Sequence, residues 1–369
     1  MKVGIDTFGC DNGRSGLGSY LLSMVPALPD SDEVSYELFG PEVDRFTYTG
    51  NKPYPFKSVN VPDSLFFERI WHSLNVNTFA KKNGYDVVLY PAGCRILPSR
   101  FSVPSVCVIN DIVSSLISSS DDSWYRRVVR KSLSRIDCII VSSEYIRDDL
   151  IASGIDCKNI VVIHNGIDHN MFYPSEDFSG NVVDIKPFAI KKPYMIYASR
   201  MKNESKKHEE LIQAFSIFKK KTGLPHRLVL AGTESSYSDK VHAAAHDSEF
   251  ARDIFITGHF PHEQFPALYR NAEACVFPSV SEGVGLSVME SMACGLPVAC
   301  SDKGALKEIA GNCALFFDSD SPDSVAAALE RIVTDKALRA KLSADGIKWS
   351  ERYSWRNTAA ATMQTVLSL

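Results

Sequence analysis

The densest run of chemically capable residues spans Phe277 to Val298, FPSVSEGVGLSVMESMACGLPV. A short apolar strand pattern runs into a Ser/Glu/Gly turn and then into a helical pattern. Glu282 falls in the turn, and Glu290 follows with seven residues between them. Gly283 and Gly285 let backbone N–H groups approach a ligand closely at a helix N-terminus. A carboxylate in such a loop can accept from sugar hydroxyls, and one further along can reach a ribose. Two glutamates at this spacing arise constantly on charged helix faces. The whole run, with Pro278, Gly295 and Pro297, is far more specific.

Two cations form the second group. Arg200 follows an apolar strand pattern, in the kind of loop where phosphates bind. Lys206 comes six positions later, just before a helix. Cations placed there stabilise charge that grows on a leaving group, and they do so most in the transition state. The plain alternative is a solvated basic loop, because Lys202 and Lys207 lie close by. Near the start, Gly16 and Gly18 are read as a Gly-rich loop after the first strand. They are either points of close backbone approach to a ligand or a tight turn. The dinucleotide fingerprint and the P-loop are both missing, so nicotinamide and P-loop chemistries lose their best support. Asn110-Asp111 follows the strand Ser105–Ile109. Asp111 either positions an acceptor hydroxyl or caps the next helix. Glu308, after Ser301–Gly304, reads by itself as a surface helix acid. The pairs His242/His246 and His259/His262 lack metal-site spacing and read as structural or solvated histidines. His208 sits two residues after Lys206, where it can face the same ligand.

These residues need a scaffold, and the chain supplies two successive arrays of β and α patterns. The first has strand patterns at Val3–Ile5, Tyr85–Leu89, Ser105–Ile109, Cys138–Val141 and Ile160–Ile163, with helical patterns at Tyr20–Leu28, Phe66–Phe79 and Ser123–Ser134. The second has strands at Tyr194–Ala198, Arg227–Ala231, Ile254–Thr257, Ala274–Pro278, Val298–Ala299 and Ala314–Phe317, and helices including Glu209–Lys221, Pro261–Asn271, Leu286–Cys294 and Ser324–Thr334. Strands apolar on both faces suit parallel sheets under helices. The expected class is α/β, with two doubly wound domains and a cleft between them. The expected division is 1–175, a linker at 176–192, 193–350, and a final helix at 351–369 packing back on the first domain.

Composition agrees with that class. The chain has 369 residues, 45% hydrophobic and 23% charged, which excludes disorder and favours two domains. Its 40 basic and 44 acidic residues give a net charge of −4, too little positive charge for a nucleic-acid glove. The nine cysteines include no C-x-x-C pair, and Cys107, Cys138, Cys275 and Cys300 fall in strand patterns, as buried thiols of a reducing cytosol would. No signal peptide and no membrane span is read. Ser123–Ile136 carries five cations and no acid. It reads either as a core-packed helix with a solvated basic face or, through Trp124–Arg135, as a contact with an anionic bilayer. Against the second reading, residues 1–180 hold 17 basic and 22 acidic residues, a balance of −5. The aromatic segment Leu65–Trp71 either lines an acceptor site or is core.

In order along the chain, several landmarks resemble the family 4 retaining glycosyltransferases of the GT-B fold. They are Gly13–Tyr20, Val162–Asp168 (VIHNGID), Ser199-Arg200 through Lys206 to Leu211–Phe215, Leu230–Gly232, Thr257-Gly258, Leu268–Ala272 and the two-glutamate run. The resemblance covers nearly the whole chain. It implies two facing Rossmann-like domains, with an acceptor in the first and a nucleoside diphosphate sugar in the second. By the family pattern, Arg200 and Lys206 hold the diphosphate and Glu290 the ribose. Glu282 and the backbone of Gly283, Val284, Gly285 and Leu286 hold the sugar. The loop of Gly16 and Gly18 closes over diphosphate and acceptor. Position 110 departs from the pattern: the family often has His there, and Asn110 cannot move protons near neutral pH.

The resemblance further implies a hexosyltransferase needing no catalytic metal and no cofactor beyond its donor, because protein cations hold the diphosphate. GDP-mannose is the leading donor and a UDP-sugar the next. The acceptor is a glycan or lipid-linked acceptor in cell-surface polysaccharide assembly; with no signal or span read, the expected place is the cytoplasm, in solution or on the inner membrane face. The alternative is a nucleotide-sugar epimerase or other non-transferase on the same fold. An exported solute-binding protein would require a signal segment.

Overall fold

The computed structural model describes residues 1–50, 52–115, 123–175, 180, 182–185 and 188–369, with backbone alone at 123–126 and 185. The chain forms two compact units, Met1–Gly166 with Tyr353–Leu369, and Ile167–Arg352.

The first unit is built on a seven-stranded parallel sheet. Its strands are β1 (Lys2–Asp6), β2 (Ser35–Gly40), β3 (Phe56–Ser58), β4 (Val87–Tyr90), β5 (Ser105–Ile109), β6 (Cys138–Val141) and β7 (Ile160–Val162), in the order β3-β2-β1-β4-β5-β6-β7. β4, β5 and β6 are buried along their whole length, so apolar residues are needed on both faces. Helix Trp355–Leu367 packs Ala359, Met363 and Val366 into this unit's core.

The second unit holds the hairpin β8 (Val182–Ile185) and β9 (Phe188–Lys191) and a six-stranded parallel sheet. That sheet contains β10 (Tyr194–Ala198), β11 (Arg227–Ala231), β12 (Ile254–Gly258), β13 (Ala274–Phe277), β14 (Val298–Ser301) and β15 (Ala314–Phe317), ordered β12-β11-β10-β13-β14-β15. The order reverses between β1 and β4 in one sheet and between β10 and β13 in the other. Ligands of doubly wound sheets bind beyond the strand ends at such points.

The structure departs from the sequence reading in several places. Residues 176–192 do not serve only as a spacer. The hairpin within them buries Val183 and Ile190, and Phe188 stacks on Phe260 with ring centroids 6.0 Å apart. The remaining positions of that segment, 176–179, 181, 186 and 187, lie outside the described residues. Gly16 and Gly18 are not in a loop: they open helix Gly16–Met24, whose N-cap Ser15 Oγ accepts from Gly18 N at 3.2 Å. The pattern over Phe66–Phe79 is two helices, Leu65–Leu74 and Val76–Lys82, broken at Asn75. β2 and β3 were not read at all. β2 hides an acid, Glu37, which accepts from Tyr85 Oη at 2.8 Å and pairs with Lys2 at 3.1 Å.

The basic segment forms helix Ser123–Leu133, and the side chains of Trp124, Tyr125 and Arg126 lie outside the described residues. Val129, Leu133 and the following Ile136 are core. Arg130 donates to Ser153 O at 2.7 Å and Arg135 to Ser99 O at 3.2 Å. Its described apolar side chains therefore face the unit's own interior. None of the described helices is long and apolar enough to cross a membrane. Cys107, Cys138, Cys275 and Cys300 are buried free thiols.

Candidate functional site

The site in the second unit starts from β10 and β13, the two strands flanking its switch point. β10 is buried throughout and delivers Ser199-Arg200 at its carboxyl end. Met201 is fully buried, and its amide donates to Thr233 O at 3.1 Å, so the loop is anchored beside the exposed Arg200. The chain then makes the short turn Glu204–Lys206. Tyr197 Oη, rooted in β10, donates to Lys206 O at 2.8 Å and fixes that turn from below.

β13 delivers the second loop. Ser205 O accepts from Val280 N at 2.9 Å and from Ser279 Oγ at 3.4 Å, which staples the two loops together. Lys206 Nζ thereby reaches Glu282 Oε2 at 2.6 Å, with both side chains about four-fifths buried. A third loop, after β14, backs Glu282. Ala305 N donates to Glu282 O at 2.8 Å, and a Cβ on Gly304 would lie 2.9 Å from Glu282 N and O, so only glycine fits without displacement. Left-handed Gly285 then starts helix Leu286–Ala293 with no side-chain cap, which leaves the first amides of the helix for water or a ligand. Glu290 lies on that helix, nearly buried, with Oε1 3.0 Å from His262 Nε2.

Lys207 takes a left-handed conformation and points elsewhere, to Glu210 at 2.8 Å and Asp320 at 3.0 Å. His208 is buried against Tyr197, ring centroids 4.8 Å apart. Burial first and the Lys206 charge second push its pKa down to about 4, so it is neutral at physiological pH. Two amides of the 303–305 stretch have partners within the unit: Lys303 N donates to Ser301 Oγ at 3.1 Å and Ala305 N to Glu282 O at 2.8 Å.

In the first unit, Gly18 is buried under the turn Asp11–Gly13, and a Cβ there would collide with Cys10 O and the Gly13 backbone. Gly16 is exposed with open space around it. At the end of β5 both amide atoms of Asn110 are buried without a hydrogen-bond partner among the described residues. Asp111 is exposed next to it, and the nearby Ser114 amide donates to Asp149 at 3.0 Å. Among the described residues no group of three or more His, Cys, Asp or Glu side chains is placed to hold a metal. Sequence reasoning missed the His262–Glu290 contact and the Ser205–Val280 staple. Both join residues far apart in the chain, and no local spacing signals either.

Two family models match in tandem: "Glycosyltransferase Family 4" over residues 14–171 and "Glycosyl transferases group 1" over 183–349. The chain belongs to the family 4 glycosyltransferases, of the GT-B fold. The O-antigen chain mannosyltransferase B of Escherichia coli is 29% identical over 170 residues, 46% of this chain and 44% of that protein. The Escherichia coli serotype-specific mannosyltransferase WbdA is 25% identical over 264 residues, 69% of this chain and 32% of that protein. The chain thus spans less than half the length of either mannosyltransferase. The crystal structure of Anabaena Alr3699/HepE with UDP and glucose superposes over all of both chains, with a TM-score of 0.75 at 18% identity, which shows the shared fold.

Proposed function

We propose that this glycosyltransferase is a retaining enzyme that binds a nucleoside diphosphate sugar in its second unit and passes the sugar to a glycan or lipid-linked acceptor held by the first. The observation that carries this is the Lys206–Glu282 pair at 2.6 Å, formed where the loops of β10 and β13 meet at the switch point. Arg200 and Lys206 take the diphosphate, Glu290 the ribose, and Glu282 with the 283–286 backbone the sugar. Asp111 takes the acceptor hydroxyl, and the Gly16 and Gly18 segment closes over diphosphate and acceptor.

As the anomeric C–O bond breaks, its electron pair moves to the diphosphate, where the two cations meet the added charge. The new bond forms to the acceptor oxygen on the face the diphosphate leaves, and the acceptor proton passes to a phosphate oxygen. These steps ask for no metal and no proton shuttle at Asn110. GDP-mannose leads as donor because two relatives bear mannosyltransferase names, and both act in O-antigen or serotype chemistry by those names. A UDP-sugar follows. The epimerase alternative gains no support from the relatives.

Incubation with GDP-mannose or UDP-sugars and candidate acceptors tests the reading. A larger glycan of retained anomeric configuration plus free nucleotide supports it. Isomerised donor with no acceptor product sinks it. Capture of a glycosylated residue with a fluorinated donor would overturn the front-face route.

A further inference from the structure

Glu290 is held from outside its own helix. His262 stands on the turn His262–Gln264 ahead of helix Phe265–Asn271, and its Nε2 lies 3.0 Å from Glu290 Oε1. The imidazole is 60% exposed and the carboxylate 9%, so the histidine stands on the solvent side of an acid that keeps only a small opening. Aromatic rings fix the imidazole plane: Phe172 meets it edge-on at 5.3 Å and Phe265 at 6.3 Å. The acids around it are Glu290 on the facing helix, Glu263 on its own turn and Asp168 from the start of the unit. The bond to Glu290 is the main cause that raises the imidazole pKa, with burial opposing it.

A glutamate has three side-chain torsions, and ordering them on ligand binding costs affinity. A partner that already fixes one oxygen removes much of that cost and leaves the other oxygen to the ligand. We propose that His262 is a positioning residue: it anchors Oε1 of Glu290 so that the carboxylate presents Oε2 to the ribose diol of the bound nucleotide. This rests on the donor-site reading above, in which Glu290 holds the ribose.

The test compares GDP and UDP with their 2′,3′-dideoxy forms by calorimetric titration. In the unaltered protein, loss of both hydroxyls weakens binding of the preferred nucleotide by about tenfold, as for hydrogen bonds to a charged group. In His262→Ala that penalty shrinks to about twofold or less, because the carboxylate is no longer set for the diol. His262→Phe keeps the packing against Phe172, lacks the N–H, and behaves as the alanine variant. His262→Gln puts an amide N–H near the place of Nε2 and restores the penalty. Donor KM rises in the alanine variant while kcat at saturating donor stays the same. A purely structural histidine would weaken both nucleotide forms equally. A dideoxy penalty undiminished in both His262→Ala and His262→Phe overturns the inference alone. A penalty absent from the unaltered protein overturns the ribose role of Glu290 and this inference with it.

Discussion

Lys206 Nζ lies 2.6 Å from Glu282 Oε2, and the pair joins the loop after β10 to the loop after β13. The cation proposed for the diphosphate and the acid proposed for the sugar thus form one ion pair. On the proposed reading, a diphosphate would compete for the ammonium and free the carboxylate to accept from sugar hydroxyls. With both side chains about four-fifths buried, much of the desolvation cost is met, and loss of either partner leaves a largely enclosed charge uncompensated.

Removal of either cation therefore acts on turnover more than on folding. Lys206→Ala and Arg200→Ala are each expected to lower kcat by about 10²–10³-fold, the usual effect of deleting one group that meets transition-state charge. Far-UV circular dichroism stays close to the parent for both; the melting temperature is unchanged for the exposed Arg200 and falls modestly for Lys206→Ala, which leaves Glu282 without its partner. Glu290→Ala likewise abolishes transfer with the fold intact. Near-parental turnover in the Arg200 or Glu290 variant would refute the site assignment.

Gly18→Ala is expected to destabilise the first unit by about 2 kcal/mol or more, as overpacking against backbone does. The added methyl group runs into Cys10 O and the Gly13 backbone, neither of which is the flexible end of a side chain. Gly16→Ala has open space and a helical position, so it should be neutral or gain up to about 1 kcal/mol. Urea titration of the two variants separates a packing role at Gly18 from a purely conformational need shared by both glycines.

Much of this architecture is legible in the sequence because its strands are buried on both faces and read as unbroken apolar runs. Cys138–Val141 and Tyr194–Ala198 are strands with the bounds expected of them. β2 escaped notice because Glu37 interrupts its pattern, and that acid is tolerated inside only through Tyr85 and Lys2. β3 has three residues and two exposed positions, too short for any period to show. The glycines at 16 and 18 suggested a loop, yet the Ser15 cap and the close approach at Gly18 make them helical. Within the candidate site, motif order pointed to Arg200, Lys206, Glu282 and Glu290, and folding brings Lys206 and Glu282 into contact. The pairing of Glu290 with His262 depends on how the turn His262–Gln264 packs against helix Leu286–Ala293, and it has no signature in either segment.

Nucleotide stabilisation is expected to identify the donor base. If GDP-mannose is the donor, GDP raises the melting temperature in a concentration-dependent way, by about 2.7 kcal/mol of stability at a hundredfold excess over Kd. UDP at the same concentration does much less. The reverse ranking would replace mannose chemistry with a UDP-sugar. Arg200→Ala should lose the shift with both nucleotides, which ties the stabilisation to the site after β10.

Acid stability offers a test independent of any ligand. His208 is buried beside Tyr197 and Lys206, and its pKa in the folded protein falls to about 4. An unfolded chain binds that proton near pH 6.5. Between those two values the unfolded state holds more protons than the folded one, so stability falls as pH drops through this window. The contribution is roughly 3 kcal/mol at its full extent, from about 1.4 kcal/mol per pH unit. His208→Phe keeps an aromatic ring against Tyr197 and removes the titration. Its urea midpoint should therefore decline less steeply than that of the parent between pH 6 and pH 4. Asp44, pushed up to about 6 by burial, acts with the opposite sign: the folded state binds its proton first, so its contribution favours folding on the acid side and is lost as pH rises. The difference between parent and His208→Phe isolates the histidine from that opposing term, because Asp44 is present in both. Identical slopes in the two proteins would show that His208 is protonated in the folded state and would remove the buried neutral imidazole from the site.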